Sequence, residues 1–274
     1  MKKYFFVYFC MLLLFVSCIV VNTPANRYEA NLSAYKPVPV NRVRNNITYF
    51  NTHNFRKIRV NGLPIEIVSS HKSELEVSSN YIQYLRVMSY GDELYLFYDM
   101  PGTGPDSGMQ RFNHQFTLHM RQPITHITAE RSSRITIPDM LKAPYMNVDI
   151  LIGGKVKANV QTPEINIFAE ATGDFSGWID ASTAKIRLRN AATAVIGGVV
   201  GNIEVSASES SFFGGKELRA DNAVIKADTK SNVSIAVNHE MDAEAINRGR
   251  IQYRPLSDIK IQQNTDSGGV IEVF

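Results

Sequence analysis

The residues best placed to do chemistry lie in Asp174-Phe175-Ser176-Gly177-Trp178-Ile179-Asp180, where the only tryptophan of the chain stands between two aspartates. An indole face can stack on a pyranose ring, and carboxylates accept hydrogen bonds from its hydroxyls. The same residue types could also serve glycoside hydrolysis, which needs one protonated and one ionised carboxyl across the scissile bond. For that, charged partners should recur in the neighbouring repeats. Asn190–Thr193 and Ser208–Ser211 hold no Asp, Arg or Lys and no recurring pair. We therefore assign no catalytic residue and take Trp178, Asp174 and Asp180 as candidate ligand-binding residues. The competing structural role is a coil turn in which Phe175 and Trp178 pack on the next coil.

Other chemistries find less support. The histidines are His53, His71, His114, His119, His126 and His239. His114 and His119 are an odd number of residues apart and so point to opposite faces of a strand. No His-x-His pair and no late cysteine helps them, so no metal site and no cofactor are expected. There is no Gly-x-Ser-x-Gly nucleophile elbow. Gly153-Gly154, Gly197-Gly198, Gly214-Gly215 and Gly268-Gly269 lead into no helix and no Lys-Ser/Thr. They read as sharp coil corners needing positive φ rather than phosphate loops. Phe212-Phe213 reads as core packing, with an exposed aromatic as the alternative. The formal charge is +3. Without Lys2 and Lys3 it falls to 3 − 2 = +1, so no nucleic-acid partner is expected.

The elements that must position these residues repeat. Apolar-polar alternation returns at Val148, Ile167, Leu188, Val205, Ile225 and Ala243. A regular period of about 20 residues marks a solenoid, whose units bury their apolar faces only by stacking. These six residues are expected to form one inward stack that tapers at Ala243. Asn147, Asp149, Asn166, Arg187, Arg189, Glu204, Ser206, Lys226 and Glu244 should point outward. Strands are also expected around Phe55–Val60, Ile65–Ile67, Leu75–Val77, Leu85–Val87, Leu94–Tyr98 and Phe116–Met120, with a loop over Met100–Gly108 and almost no helix. Ile259–Ile261 and Val270–Phe274 should close the far end.

Phe55-Arg56-Lys57-Ile58-Arg59-Val60-Asn61-Gly62, Ile65–Val68, Leu75–Val77 and Gly91-Asp92-Glu93-Leu94-Tyr95-Leu96 resemble the opening of the head GIN domain family of autotransporter-adhesin heads. Phe116–Met120, Pro123-Ile124 and Ile127 are similar to the strand that leads into that family's repeats. The resemblance implies an all-β, right-handed parallel β-helix with an N-terminal antiparallel strand cap. The family's small-residue Ser-Gly-Ala-Ser turn has drifted here, at Ile152-Gly153-Gly154, Ala171–Asp174, Asn190–Ala192, Ser208–Ser210 and Arg248-Gly249. No strict turn ladder is therefore expected.

Upstream, Met1-Lys2-Lys3, an apolar run to Val16 and Ser17-Cys18 have the layout of a secretory signal. The run is shorter than the roughly 20 residues of a membrane span. Phe15-Val16-Ser17-Cys18 is similar to a bacterial lipobox, with Phe15 a departure, and implies lipidation of Cys18. The expected layout is 1–17 signal peptide, 18–51 lipid-anchored tether, 52–122 β cap, and 123–274 coils with a C-terminal cap. The expected function is that of a non-enzymatic cell-envelope lipoprotein of the outer membrane whose β-helical head serves adhesion or ligand binding, with a membrane partner through its lipid and a glycan or envelope protein as ligand. A carbohydrate-active enzyme or glycan-binding subunit, and an envelope spacer, are the alternatives. The ligand, the leaflet and the oligomeric state stay open.

Overall fold

The computed structural model describes residues 32–44, 47–52, 55–99 and 114–274. The signal-like segment, Cys18 and the expected Met100–Gly108 loop lie outside these. Leu32–Ala34 is a single 3-10 turn in a unit distinct from Lys36–Phe274.

The first nine strands are β1 (Lys36–Pro37), β2 (Val40–Arg44), β3 (Ile47–Asn51), β4 (Lys57–Asn61), β5 (Pro64–Ser69), β6 (Glu74–Ser79), β7 (Leu85–Tyr90), β8 (Glu93–Tyr98) and β9 (His114–Met120). Next come β10 (His126–Glu130), β11 (Arg134–Lys142) and β12 (Met146–Leu151). Five long strands follow: β13 (Lys155–Glu170), β14 (Asp174–Arg189), β15 (Thr193–Ala207), β16 (Phe212–Ala227) and β17 (Asn232–Ala245). The chain ends in β18 (Arg250–Pro255), β19 (Lys260–Thr265) and β20 (Val270–Val273).

All belong to one parallel β-solenoid of about eight turns with antiparallel strands at its N-terminal end. Two strand faces run its length. On the first, β8, β4, β10, β12 and the second halves of β13 to β17 stack in parallel and end on β19. On the second, β9, β5, β11 and the first halves of the long strands stack in parallel and end on β18 and β20.

The N-terminal end is built out of sequence order. β4 and β5 form one coil, and the chain then passes beneath it as β6 to β9 before returning above it as β10 and β11. Antiparallel ribbons close this end, β1 with β7 and β8 on one face and β2, β3, β6 and β9 on the other. Parallel stacking thus begins at Lys57, inside the stretch read as cap. Three strands, β1, β2 and β3, also lie in the stretch read as tether. An ion pair fixes the cap: Arg59 Nη2 lies 2.6 Å from Glu130 Oε1, with the guanidinium over the Tyr95 ring. Burial pushes the Glu130 carboxyl above its usual range, and Arg59 opposes the shift.

The observed inward stack is Val148, Ile167, Ile186, Val205, Ile225 and Ala243, a more even spacing than the expected one. Leu188, expected in this stack, is instead aligned with Ala169 and Ala207. It is fully buried all the same. The reason is parity: residues i and i+2 of a strand face the same way, so alternation cannot choose between them. This second stack runs Ile150, Ala169, Leu188, Ala207, Ala227 and Ala245.

Between the faces the chain turns through paired left-handed residues: Arg131-Ser132, Ile152-Gly153, Ala171-Thr172, Asn190-Ala191, Glu209-Ser210, Thr229-Lys230, Asn247-Arg248 and Ser267-Gly268. Fourteen of these sixteen are not glycine, with φ between 47° and 65°. Left-handed backbone costs an L-residue about 1 kcal/mol. The corners offset this with a hydrogen-bond ladder. The second residue's N–H donates to the first residue's carbonyl one coil on, seven times in succession, at 2.8–3.1 Å. The residue after each pair is small: Ser133, Gly154, Gly173, Ala192, Ser211, Ser231, Gly249 and Gly269. A Cβ at Gly249 would lie 2.1 Å from the Ala227 oxygen of the preceding coil. A strict ladder therefore exists, contrary to expectation: Gly154, Gly173, Ala192 and Gly249 lie within the drifted turns, and Ser211 directly follows one.

Candidate functional site

Asp174, Trp178 and Asp180 lie in the first half of β14, a strand rather than the expected turn. All three are on its outer surface, while Phe175 and Ile179 are buried. Asp174 is four residues from Trp178, about 13 Å along an extended strand, and pairs with Lys155 at 3.7 Å. Asp180 is two residues from Trp178 and accepts a 3.0 Å hydrogen bond from Gln161 Nε2. The structure thus groups Trp178 with Asp180 and leaves Asp174 apart.

Trp178 is 46% exposed. Its backbone N–H donates to Asn159 Oδ1, one coil back, at 3.0 Å. Its ring lies across the next coil, on Gly197, where a Cβ would come within 2.8 Å of the indole. The expected packing on the next coil and the expected platform are therefore one arrangement, with the inner face of the ring on backbone and the outer side in solvent. Beyond Gly197 lies Glu217, whose Cβ would be 3.4 Å from such a Cβ. Sequence reasoning sought partners at Asn190–Thr193 and Ser208–Ser211, which are corner stretches in the structure. The neighbours of Trp178 are Gly197 and Glu217, which lie one and two coils further along the chain.

A second aromatic joins it. Phe213 is fully buried, but Phe212 is 42% exposed, so the expected core role holds for one of the pair. The Phe212 ring lies over Gly214, where a Cβ would meet it at 2.9 Å, with Val195 alongside. Positions 197 and 214 are one coil and two residues apart in register, which places the two rings on the order of 8 Å from each other. Val195 and Val199, both half exposed, complete an apolar strip. Gly197 and Gly214 therefore do not serve corners, as expected of their pairs; they clear space under rings. Gly198 and Gly215 meet neighbouring carbonyls, a Cβ at Gly198 lying 1.9 Å from the Ile179 oxygen. Gly153 and Gly268 do occupy left-handed corners.

The first face differs. Its outward side chains bond to one another: Asn166 to Asn147 at 3.1 Å, Asn222 to Asn202 at 3.0 Å, Lys185 to Glu204 at 3.1 Å and Lys226 to Glu244 at 2.7 Å. His126 Nε2 lies 2.9 Å from Asp149 Oδ2. A trough of about 420 Å³ runs across these rows, over Ala184, Ile203 and Ala223. Its polar groups largely answer each other, whereas the Trp178–Phe212 strip leaves apolar ring surface in water. Among the described residues no three His, Cys, Asp or Glu side chains converge to hold a metal ion.

The architecture is that of a parallel solenoid with an aromatic strip on one face, and sequence comparison gives its family. Residues 54–254 match the family described as "Putative auto-transporter adhesin, head GIN domain", and the chain belongs to it. No curated protein matches the sequence. Among solved structures, a "putative adhesin" from Parabacteroides merdae aligns with a TM-score of 0.69 at 12% identity, over 83% of this chain and 95% of its own. A "putative lipid binding protein" from Parabacteroides distasonis aligns with a TM-score of 0.72 at 16% identity, over 83% and 96%. At these identities the likeness is one of fold.

Proposed function

We propose that this protein is an exported, lipid-anchored envelope protein whose solenoid head acts as an adhesin, holding a glycan against the Trp178–Phe212 strip without cleaving it. One observation carries the reading: two aromatic rings lie over glycines of adjacent coils on one rigid face, with their outer sides open. Rings fixed this way stack on sugars at little cost in side-chain entropy. Asp180 and Glu217 beside Trp178 supply acceptors for hydroxyls and repel anionic polysaccharide, so the ligand class is a neutral glycan. Membership of an adhesin-head family supports an envelope location, and the Ser17-Cys18 sequence supports the lipid anchor.

The test is titration of neutral oligosaccharides and of a uronate polymer, followed by tryptophan emission. The native emission should be that of a solvent-exposed indole and should shift with a neutral glycan alone. Trp178→Ala should weaken binding at least tenfold, about 1.4 kcal/mol, in a variant whose dichroism shows the fold retained. Products of unchanged length would separate binding from hydrolysis. Emission silent to every neutral glycan, or a folded Trp178→Ala that binds as wild type does, would defeat the glycan reading. Detergent partitioning of Cys18→Ala tests the anchor, which should be lost.

A further inference from the structure

The two ends of the solenoid are unlike. Antiparallel ribbons extend the N-terminal end, with the short β1 and the exposed β2 as their outermost strands among the described residues. At the other end β19 pairs only with β17 and β20 only with β18, so among the described residues the outer edges of both carry no strand. Here the inward columns also surface. Gln263 and Thr265 continue those of Ala243 and Ala245, and Val273 continues that of Tyr253, yet all three are exposed. Val273 is 59% exposed and Phe274 37%. An open edge with apolar surface beside it is a template for another strand.

The geometry points to a second copy of this chain as the occupant, joined end to end in a two-fold dimer through β19. The sequence of that edge is self-complementary. Turned antiparallel on itself about Gln263, it sets Ile261 opposite Thr265 and Gln262 opposite Asn264, so inward residues meet inward residues. It also sets Lys260 opposite Asp266, twice, once on each side of the axis. Both side chains are exposed. Asp266 uses one oxygen for its own corner, accepting from the Ser267 N–H at 2.7 Å. The Gln263 carboxamides meet on the axis, each with a donor and an acceptor for the other. An isologous contact of this kind pairs the two β19 edges with each other, so assembly through this end stops at two. The pairing is independent of the Trp178 strip.

Charge reversal tests this on the full chain, with analytical ultracentrifugation and small-angle scattering as readouts. Wild type should dimerise at tens of micromolar, with a maximum dimension about twice that of the monomer. Lys260→Asp sets like charges opposite each other, as does Asp266→Lys, and each should raise the dimer Kd at least tenfold. The double variant K260D/D266K restores both pairs and should recover the dimer. Dichroism and melting identical to wild type confirm that each variant folds. A wild type monomeric at several hundred micromolar would overturn the proposal. So would single variants that dimerise normally, a double variant that does not recover, or a dimer no longer than the monomer. Glycan titration of the same samples reads the Trp178 strip separately.

Discussion

Leu188 and Arg187 are neighbours on β14 with opposite surroundings. Leu188 is fully buried between Ala169 and Ala207, and Arg187 points into solvent. Leu188→Asp would place an unpaired carboxylate in an apolar core, which costs several kcal/mol and should abolish the folded state. Arg187→Asp should change stability by no more than about 0.5 kcal/mol. Thermal melts of the two variants check this, and similar melting points would contradict the inward–outward assignment. At this scale the sequence was legible as far as parity goes. It separates Leu188 from Arg187 but not Leu188 from Ile186, because both face inward and only coil-to-coil pairing aligns Ile186 with Ile167. Trp178 was legible as a candidate for its uniqueness and its flanking aspartates. Its seat on Gly197 and its neighbour Glu217 were not, since they depend on a register that shifts slightly from coil to coil.

Among the elements, the corner departs most from ordinary rules. A residue with φ near 60° is normally glycine or asparagine, yet here Lys230 and Ala191 hold that conformation. Each is held by a hydrogen bond to the next coil, Lys230 N–H to the Asn247 oxygen at 3.1 Å and Ala191 N–H to the Glu209 oxygen at 2.9 Å. Lys230→Val brings a β-branched side chain into the left-handed region and should cost about 1–2 kcal/mol although the site is exposed. The same change at exposed, extended Arg189 should cost almost nothing. Urea denaturation of both variants measures the difference; equal midpoints would mean that the corners are not under backbone constraint. This ladder was hidden because nothing in Thr229-Lys230 or Glu209-Ser210 signals positive φ by composition. What recurs visibly is the small residue that follows, and its spacing varies as the corner spacing does.

For the whole molecule, order along the chain and order in space agree from β10 onward and disagree before it. Residues that read as a plain N-terminal cap hold a complete coil, β4 with β5, together with β8 and β9 on its lower side. The alternation of Ile58, Val60, Ile65 and Ile67 is the same whether a strand pairs antiparallel with its sequence neighbour or parallel with a strand far downstream, as Ile58 does with Ile127. A long crossing of this kind leaves no local trace, so strands were legible here and topology was not. The two ends also impose different requirements. One end finishes in antiparallel ribbons and the other in the parallel strands β19 and β20.

The repeated corner makes the coil a unit of growth. Lys155–Gly173 is one such unit, and Asp174, which follows it, occupies the same register position as Lys155. A second copy of that unit placed after Gly173 would meet matching partners on both sides. Each corner would pass its hydrogen bond to the new rung, and Trp178 would keep Gly197 and Glu217 ahead of it and a copy of Asn159 behind. Such a chain should fold with undiminished stability and be longer by about 4.8 Å, one strand spacing, with the Trp178–Phe212 strip intact. Inserting half a unit should instead misalign every coil beyond it. Scattering dimensions and melting curves of the two insertions would decide. If both are tolerated or neither is, coils are not interchangeable, and a lineage could not set the reach of this head simply by duplicating or deleting them.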